Sequence, residues 1–300
     1  MRDAEKVLKE YLDYLEIEKN RSVKTRENYE RYLRAFFKAE RITALSDITE
    51  ERIRRFRLML ARVSGKKGHA LEKSTQSYYV IAIRNFLKYA TRKGYQALSP
   101  EVIELPKLVA RQIEAMEYPD LLRILASPKG ESLRVLRDRA ILETLFSTGL
   151  RLAELCRLDR YEDFSRGEIS VRGKGGKIRV VFISDDARQA IATYEKKRAD
   201  ADEALFISLT KQGKIIGRIT PRAVERLVRH YARKAGVSGR VTPHSFRHLF
   251  ATDLLINGAD LRSVQELLGH SNIATTQIYT HLTNKELREI HKSFHARRRD

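Results

Sequence analysis

"LSPEVIELPKLVARQ", residues 98–112, decides how this chain is divided. Pro100 and Pro106 interrupt a helical pattern that is present on both sides of the stretch, because proline lacks an amide donor and clashes with the preceding turn. It therefore reads as a linker. We place an N-terminal helical domain at residues 1–100, the linker at 101–112, a larger domain at 113–283 and a terminal segment at 284–300. A chain of 300 residues suits two domains of ordinary size, and 42% hydrophobic content is enough for a core in each.

Before the linker, the apolar spacing predicts helices at 3–18, 24–39, 49–63 and 74–93. The second starts near Thr25. The third follows "SDITEE", in which Asp47 and Glu50 have capping-box spacing, and the fourth follows Ser74. After the linker, helices are expected at 118–127, 131–147, near "TGLRLAEL" (148–155), and at 185–199, 220–235, 243–257, 260–268, 272–282 and 284–297. "EISVRGKGGKIRVVFIS" (168–184) has β-branched runs on either side of a glycine-rich centre and reads as a hairpin. The expected fold is mainly α with a small antiparallel β-sheet, in two domains.

The chain carries 59 Lys and Arg against 39 Asp and Glu, a formal charge of +20. Residues 1–105 contribute +8 and the remainder +12. Both parts are basic, which favours a polyanionic partner along the whole molecule, and nucleic acid above all. Stretches such as "ERIRRFRLMLAR" (51–62) repeat arginine on helices with aromatic residues interspersed, and also read as a plain solvated face. Cys156 is the only cysteine, so there is no intramolecular disulfide framework and no cysteine zinc ribbon. The charged N-terminus and the lack of a long apolar run predict neither a signal peptide nor a membrane span, hence a cytoplasmic protein.

Several polar residues are out of place for scaffolding alone. In "VTPHSFRHLFATDLL" (241–255), Thr242 can cap a helix with Pro243 in its first position. His244 and Arg247 then lie three apart near the first turn, on one face, with Phe246, Leu249, Phe250 and Leu254 on the other. Such a helix start offers free N–H groups and positive potential to a phosphate and disfavours protonated imidazole. "STGLRLAEL" repeats the device: Gly149 ends one helix and Arg151 opens the next. Arg151 would equally pair with Glu154 on its own helix. Lys174 sits among glycines in the hairpin turn, without the GxxxxGK[ST] pattern of a nucleotide-binding loop.

"LGHSNIATTQIYTH" (268–281) places His270 and Tyr279 nine residues apart, on opposite sides of any single continuous helix. Gly269 followed by Ser271 and Asn272 instead ends one helix and begins another. On the second, the apolar stripe is Ala274, Ile278 and Leu282, and Tyr279 lies beside Thr275 and Thr276, unlike a core aromatic.

Taken in order, Arg151 in "TGLRLAEL", Lys174 in "GKGGK", His244 and Arg247 in "HSFRH", His270 in "LLGH" and Tyr279 in "TTQIYTH" resemble the catalytic set of the tyrosine recombinases, closest to the Xer-type and phage-integrase branch. The likeness is strong over residues 112–283, and before them it rests on helical pattern and layout. It implies a C-shaped clamp in which a helical core-binding domain and a catalytic domain close on duplex DNA. It implies that Tyr279 attacks a scissile phosphate to give a 3′-phosphotyrosyl link, and that Arg151 and Arg247 hold the phosphate oxygens. Lys174 would protonate the leaving 5′-oxygen, with Lys177 as an alternative on the same hairpin. His244 would act as general base or phosphate ligand, and His270 would orient and stabilise. No metal, ATP or other cofactor is required.

The resemblance further implies a homotetramer on two copies of a specific recombination site, associated with the nucleoid. The terminal segment, with Leu287, Ile290 and Phe294 in one stripe, would dock in a neighbouring protomer or on its own domain. The compact layout leans towards Xer-like chromosome dimer resolution, with integration or excision of a mobile element as the alternative. Three other classes stand beside it. A type IB topoisomerase uses a similar residue set but rejoins the same strand. A non-enzymatic DNA-binding module explains the charge but not the ordered set. A metal hydrolase could use His244 and His248, four apart, yet lacks the glutamate that HExxH needs after the first histidine.

Overall fold

A computed structural model describes residues 3–62, 71–105, 116–173 and 178–269. The chain forms two compact units, Met1–Gln112 and Ile113–Asp300.

The first unit is built from α1 (Asp3–Glu16), α2 (Val23–Glu40), α3 (Glu50–Arg62) and α4 (Lys73–Arg92). Each buries one stripe. In α1 this is Ala4, Val7, Leu8, Tyr11, Leu12 and Leu15, and in α4 Val80, Ile83, Phe86, Leu87 and Ala90, the three- and four-residue spacing of an amphipathic helix. The core is rich in rings: Tyr11 stands 5.6 Å from Phe86, and Phe36 stands 5.1 Å from Phe56, edge to face.

Three helix starts differ from the sequence reading. Asp47 does not pair with Glu50; it turns back to accept from the amides of Thr43 and Ala44 at 2.8 and 2.9 Å. Thr49 caps α3 instead, accepting from Arg52 N. The side chain of Ser22 caps α2 through Thr25 N, and α4 opens at Lys73 with Ser74 already inside it. The chain beyond α4 also stays with this unit further than the prolines suggest. Residues 100–102 form a short 3-10 turn, Arg84 Nε donates to Pro100 O at 3.1 Å, and Ile103 is buried in the core.

The second unit contains α5 (Tyr118–Leu125), α6 (Leu133–Thr148), α7 (Leu152–Leu155), strands β1 (Glu168–Arg172) and β2 (Ile178–Phe182), α8 (Asp185–Lys196), β3 (Ile207–Leu209) and β4 (Ile215–Arg218). Three helices complete it: α9 (Pro221–Lys234), α10 (Pro243–Ile256) and α11 (Leu261–Leu268). Helix α6 is buried on most sides, by Leu136, Ala140, Ile141, Leu142, Leu145 and the small hydroxyls of Thr144 and Thr148, and packs against α8 and α10. Its charged pair is buried too. Arg137 bonds Asp138, which also accepts from Tyr231 Oη at 3.2 Å.

Strands β1 and β2 pair antiparallel, with Arg172 opposite Ile178, so the expected hairpin is present. A second two-stranded sheet, β3 with β4, is one that the sequence did not suggest. Its strands are only three and four residues long, too short for a period-two pattern to stand out. The helix expected at "TGLRLAEL" is a single turn. The helices expected at 272–282 and 284–297 lie outside the described residues.

Candidate active site

The site is assembled where four helix ends meet. Helix α6 stops at Gly149, whose φ of +57° is a left-handed conformation that costs glycine little. The approach here is close as well: a Cβ on Gly149 would stand 2.5 Å from the Phe250 ring of α10. Leu150 is buried, and Arg151 is then the N-cap residue of α7. Glu154, three residues on, accepts from Arg151 N at 2.9 Å, which is the backward half of a capping box.

Helix α10 starts as its sequence implies. Thr242 accepts from Ser245 N, Ser245 Oγ accepts from Thr242 N, and Pro243 fills the first turn. Arg247 then points inward and is 3% exposed. Helix α11 is opened by Asp260, which accepts from the amides of Arg262 and Ser263, and closes at Gly269 with φ +63°.

Three consecutive carbonyls at the end of α11 have arginine partners. Arg179 Nε donates to Leu267 O at 3.2 Å, Arg247 Nη2 to Leu268 O at 2.6 Å, and Arg151 Nη2 to Gly269 O at 2.9 Å. Arg247 Nη1 also reaches Gly149 O at 2.5 Å. Carbonyls at a helix C-terminus lack intrahelical partners and carry the negative end of the macrodipole, so cations are natural partners for them. Thus Arg151 and Arg247, far apart in sequence, hold adjacent links of one backbone.

Glu154 completes the network. Its carboxylate, 5% exposed, accepts from Arg151 Nη1 at 3.0 Å and takes both Arg179 Nη1 and Nη2, at 2.9 and 2.8 Å. Burial acts to raise its pKa, but the bonds from Arg179 and from Arg151 N outweigh it and hold the carboxyl at about 2. The group holds three guanidiniums and one carboxylate, a formal charge of +2 over these four side chains. The local pair of Arg151 with Glu154 and the convergence with Arg247 are therefore both present, and neither excludes the other.

His244 lies on the open side of α10, and its pKa is lowered by partial desolvation first, then by the charges of Arg247 and Arg151. His248, one turn on, is buried, which lowers its pKa, and the neighbouring His244 adds to this. The structure thus brings together Arg151, His244 and Arg247. Lys174, Lys177, His270 and Tyr279 lie outside the described residues. No group of three or more His, Cys, Asp or Glu side chains suited to a metal is found among the described residues, and no described helix is long and apolar enough to cross a membrane.

Sequence reading missed Arg179. A signal was available, since in "IRVVF" (178–182) it shares the inward register with Val181, and a cation on the buried face of a strand requires a partner. On the first unit, most phenylalanines expected near a basic face are core residues. The surface group is Tyr32 and Tyr78, stacked at 6.4 Å, with Arg31 5.0 Å from the Tyr32 ring.

The two units align with two family models. Residues 111–286 match the phage integrase family, and residues 8–94 match the phage integrase N-terminal SAM-like domain. Among curated proteins, the chain is 33% identical to tyrosine recombinase XerD of Staphylococcus epidermidis over 97% of its length and 99% of the relative's. It is 38% identical to tyrosine recombinase XerC of Haemophilus influenzae, over 97% of each. Among solved structures, the Tn1549 transposon integrase bound to transposon right-end DNA matches with a TM-score of 0.70 at 21% identity, covering 97% of this chain and 99% of that one.

Proposed function

The chain belongs to the phage integrase family of tyrosine recombinases, and from that premise we propose that it cuts and rejoins duplex DNA at a specific site, with Tyr279 as the nucleophile. The phenol attacks the scissile phosphate to form a 3′-phosphotyrosyl link and release a 5′-hydroxyl. The incoming 5′-hydroxyl of a partner strand reverses the step. A phenol of ordinary pKa near 10 suits both directions, because it leaves as readily as it attacks.

The observation that carries this reading is the arginine group at the end of α11. A phosphodiester has one negative charge and its pentacoordinate transition state two. Arg151, Arg179 and Arg247, less the charge of Glu154, supply two positive charges in fixed positions, and fixed charge aimed at developing charge is the largest single source of such catalysis. Arg151 and Arg247 are proposed to hold the non-bridging oxygens. His244, whose pKa is lowered by partial desolvation and by the charges of these arginines, accepts a proton or a phosphate contact. Lys174 protonates the leaving 5′-oxygen, and His270, the residue after the Gly269 carbonyl that Arg151 holds, orients the phosphate.

The likeness to XerC and XerD over nearly the whole chain supports an Xer-type role, the resolution of chromosome dimers by a homotetramer on two sites, at the nucleoid in the cytoplasm. The test uses DNA nicked beside the scissile phosphate, incubated in EDTA and run on a denaturing gel. A DNA-linked band formed by the unmutated chain and absent from Tyr279→Phe is expected. Equal bands in both would remove Tyr279 as nucleophile, and a two-site plasmid separates recombination from relaxation.

A further inference from the structure

We infer that Arg179 is a positioning residue of the site: a clamp that fixes Arg151 and the end of α11 through Glu154 and Leu267 O. The inference rests on the recombinase reading for its consequence in rate. Three observations carry it.

First, Arg179 occupies an inward position of β2 opposite Val171, in a row otherwise filled by Ile169, Val171 and Val181. Its side chain is only 12% exposed. An unpaired guanidinium there would be costly, and all three of its nitrogens are engaged, two on Glu154 and one on Leu267 O. The bidentate grip fixes the carboxylate plane. That same carboxylate receives Arg151 through both its backbone N and Nη1, so Arg151 has little freedom to rotate while Arg179 stays in place.

Second, the end of α11 is shaped to receive this side chain. A Cβ on Gly269 would lie 2.9 Å from Arg179 Cδ and 3.3 Å from Nε. The glycine thus serves both the left-handed turn and the passage of the arginine across it.

Third, Arg179 is the second residue of β2, the strand that pairs with β1. One guanidinium therefore joins β2, α7 and α11. It makes its contacts with protein acceptors and needs none with substrate.

Arg179→Lys tests this, because lysine keeps the charge but is a single point donor that cannot reproduce the planar fork. Single-turnover formation of the DNA adduct should fall by roughly 10- to 100-fold, the scale of a misplacement near 1 Å. DNA affinity, measured in the Tyr279→Phe background, should change less than about threefold, since the charge is retained. In an Arg151→Lys background the second substitution should add little, because the group it positions is already lost. A merely structural role would make the two losses multiply.

Amide hydrogen exchange needs no DNA. Exchange over residues 264–269 should quicken in Arg179→Lys while α9 is unchanged. Adduct formation within twofold of the unmutated rate, multiplying losses, or unaltered exchange in α11 would each overturn the inference. Quickened exchange in a protein that forms no adduct even unmutated would instead sink the recombinase reading and keep the clamp.

Discussion

Replacing Gly149 with alanine tests the junction between α6 and α10. Two costs arise from separate causes. Alanine at φ +57° is strained by about 1–2 kcal/mol, because its Cβ crowds the following carbonyl. The Cβ also falls 2.5 Å from Phe250 Cδ1 and 2.9 Å from Cε1. Forcing a packed ring aside costs roughly 1–3 kcal/mol. The catalytic unit should therefore lose about 2–5 kcal/mol.

Only the second cost depends on the ring. Phe250→Ala alone should destabilise by opening a void, and in the Gly149→Ala background its cost should shrink by about 1–3 kcal/mol, the coupling between residues in contact. The two units need not unfold together, so urea unfolding is best followed by hydrogen exchange of peptides from α6 and α10. The chemistry should respond as well. Gly149 O is the acceptor for Arg247 Nη1 at 2.5 Å, and displacing it should slow adduct formation at least about tenfold. A Gly149→Ala protein of unchanged stability, or a double mutant whose losses simply add, would refute the assignment of strain to Phe250.

Glu154→Gln removes the charge that two arginines share. The Glu154 carboxyl is lowered from 4.5 to about 2, so its stabilisation is complete above pH 4.5 and is lost as pH falls towards 2. The amount is about 3 kcal/mol. Unfolding measured between pH 2 and pH 5 should show this acid loss in the unmutated chain and not in Glu154→Gln; identical profiles would contradict it. His244 is held below its ordinary value of 6.5, so the midpoint of the acid limb of adduct formation should lie below pH 6.5. An acid limb at or above 6.5 that vanishes in His244→Gln would show that the arginines do not depress it.

Most of the fold was legible because its helices are amphipathic and capped by local chemistry. Thr242 with Pro243, and Gly149 before Arg151, behave as their side chains dictate. What failed to show involved choices between competing nearby cap partners, very short strands and strand register. Asp47 has the spacing for one cap and turns to another, because the Thr43 and Ala44 amides lie open beside it. Ser74 is polar enough to start a helix, yet α4 begins one residue earlier. Strands β3 and β4 are too short for their alternation to register. Of the expected catalytic set, Arg151, His244 and Arg247 are found together, and Lys174, His270 and Tyr279 lie outside the described residues. Arg179 escaped notice because its meaning depends on register: the same residue one position along β2 would face outward.

That the arginines grip main-chain oxygens at α11 bears on how such a chain can diverge. Every amino acid carries a carbonyl, so replacing Leu267 or Leu268 leaves an acceptor in place, and for these bonds drift there is constrained by packing alone. The donors have no such latitude, since only arginine offers the planar fork. Mutational freedom is therefore unequal across one set of bonds, with tolerance at 267 and 268 and rigidity at 151, 179 and 247. Gly269 is the exception on the acceptor side, fixed by its own backbone geometry and by the arginine that crosses it.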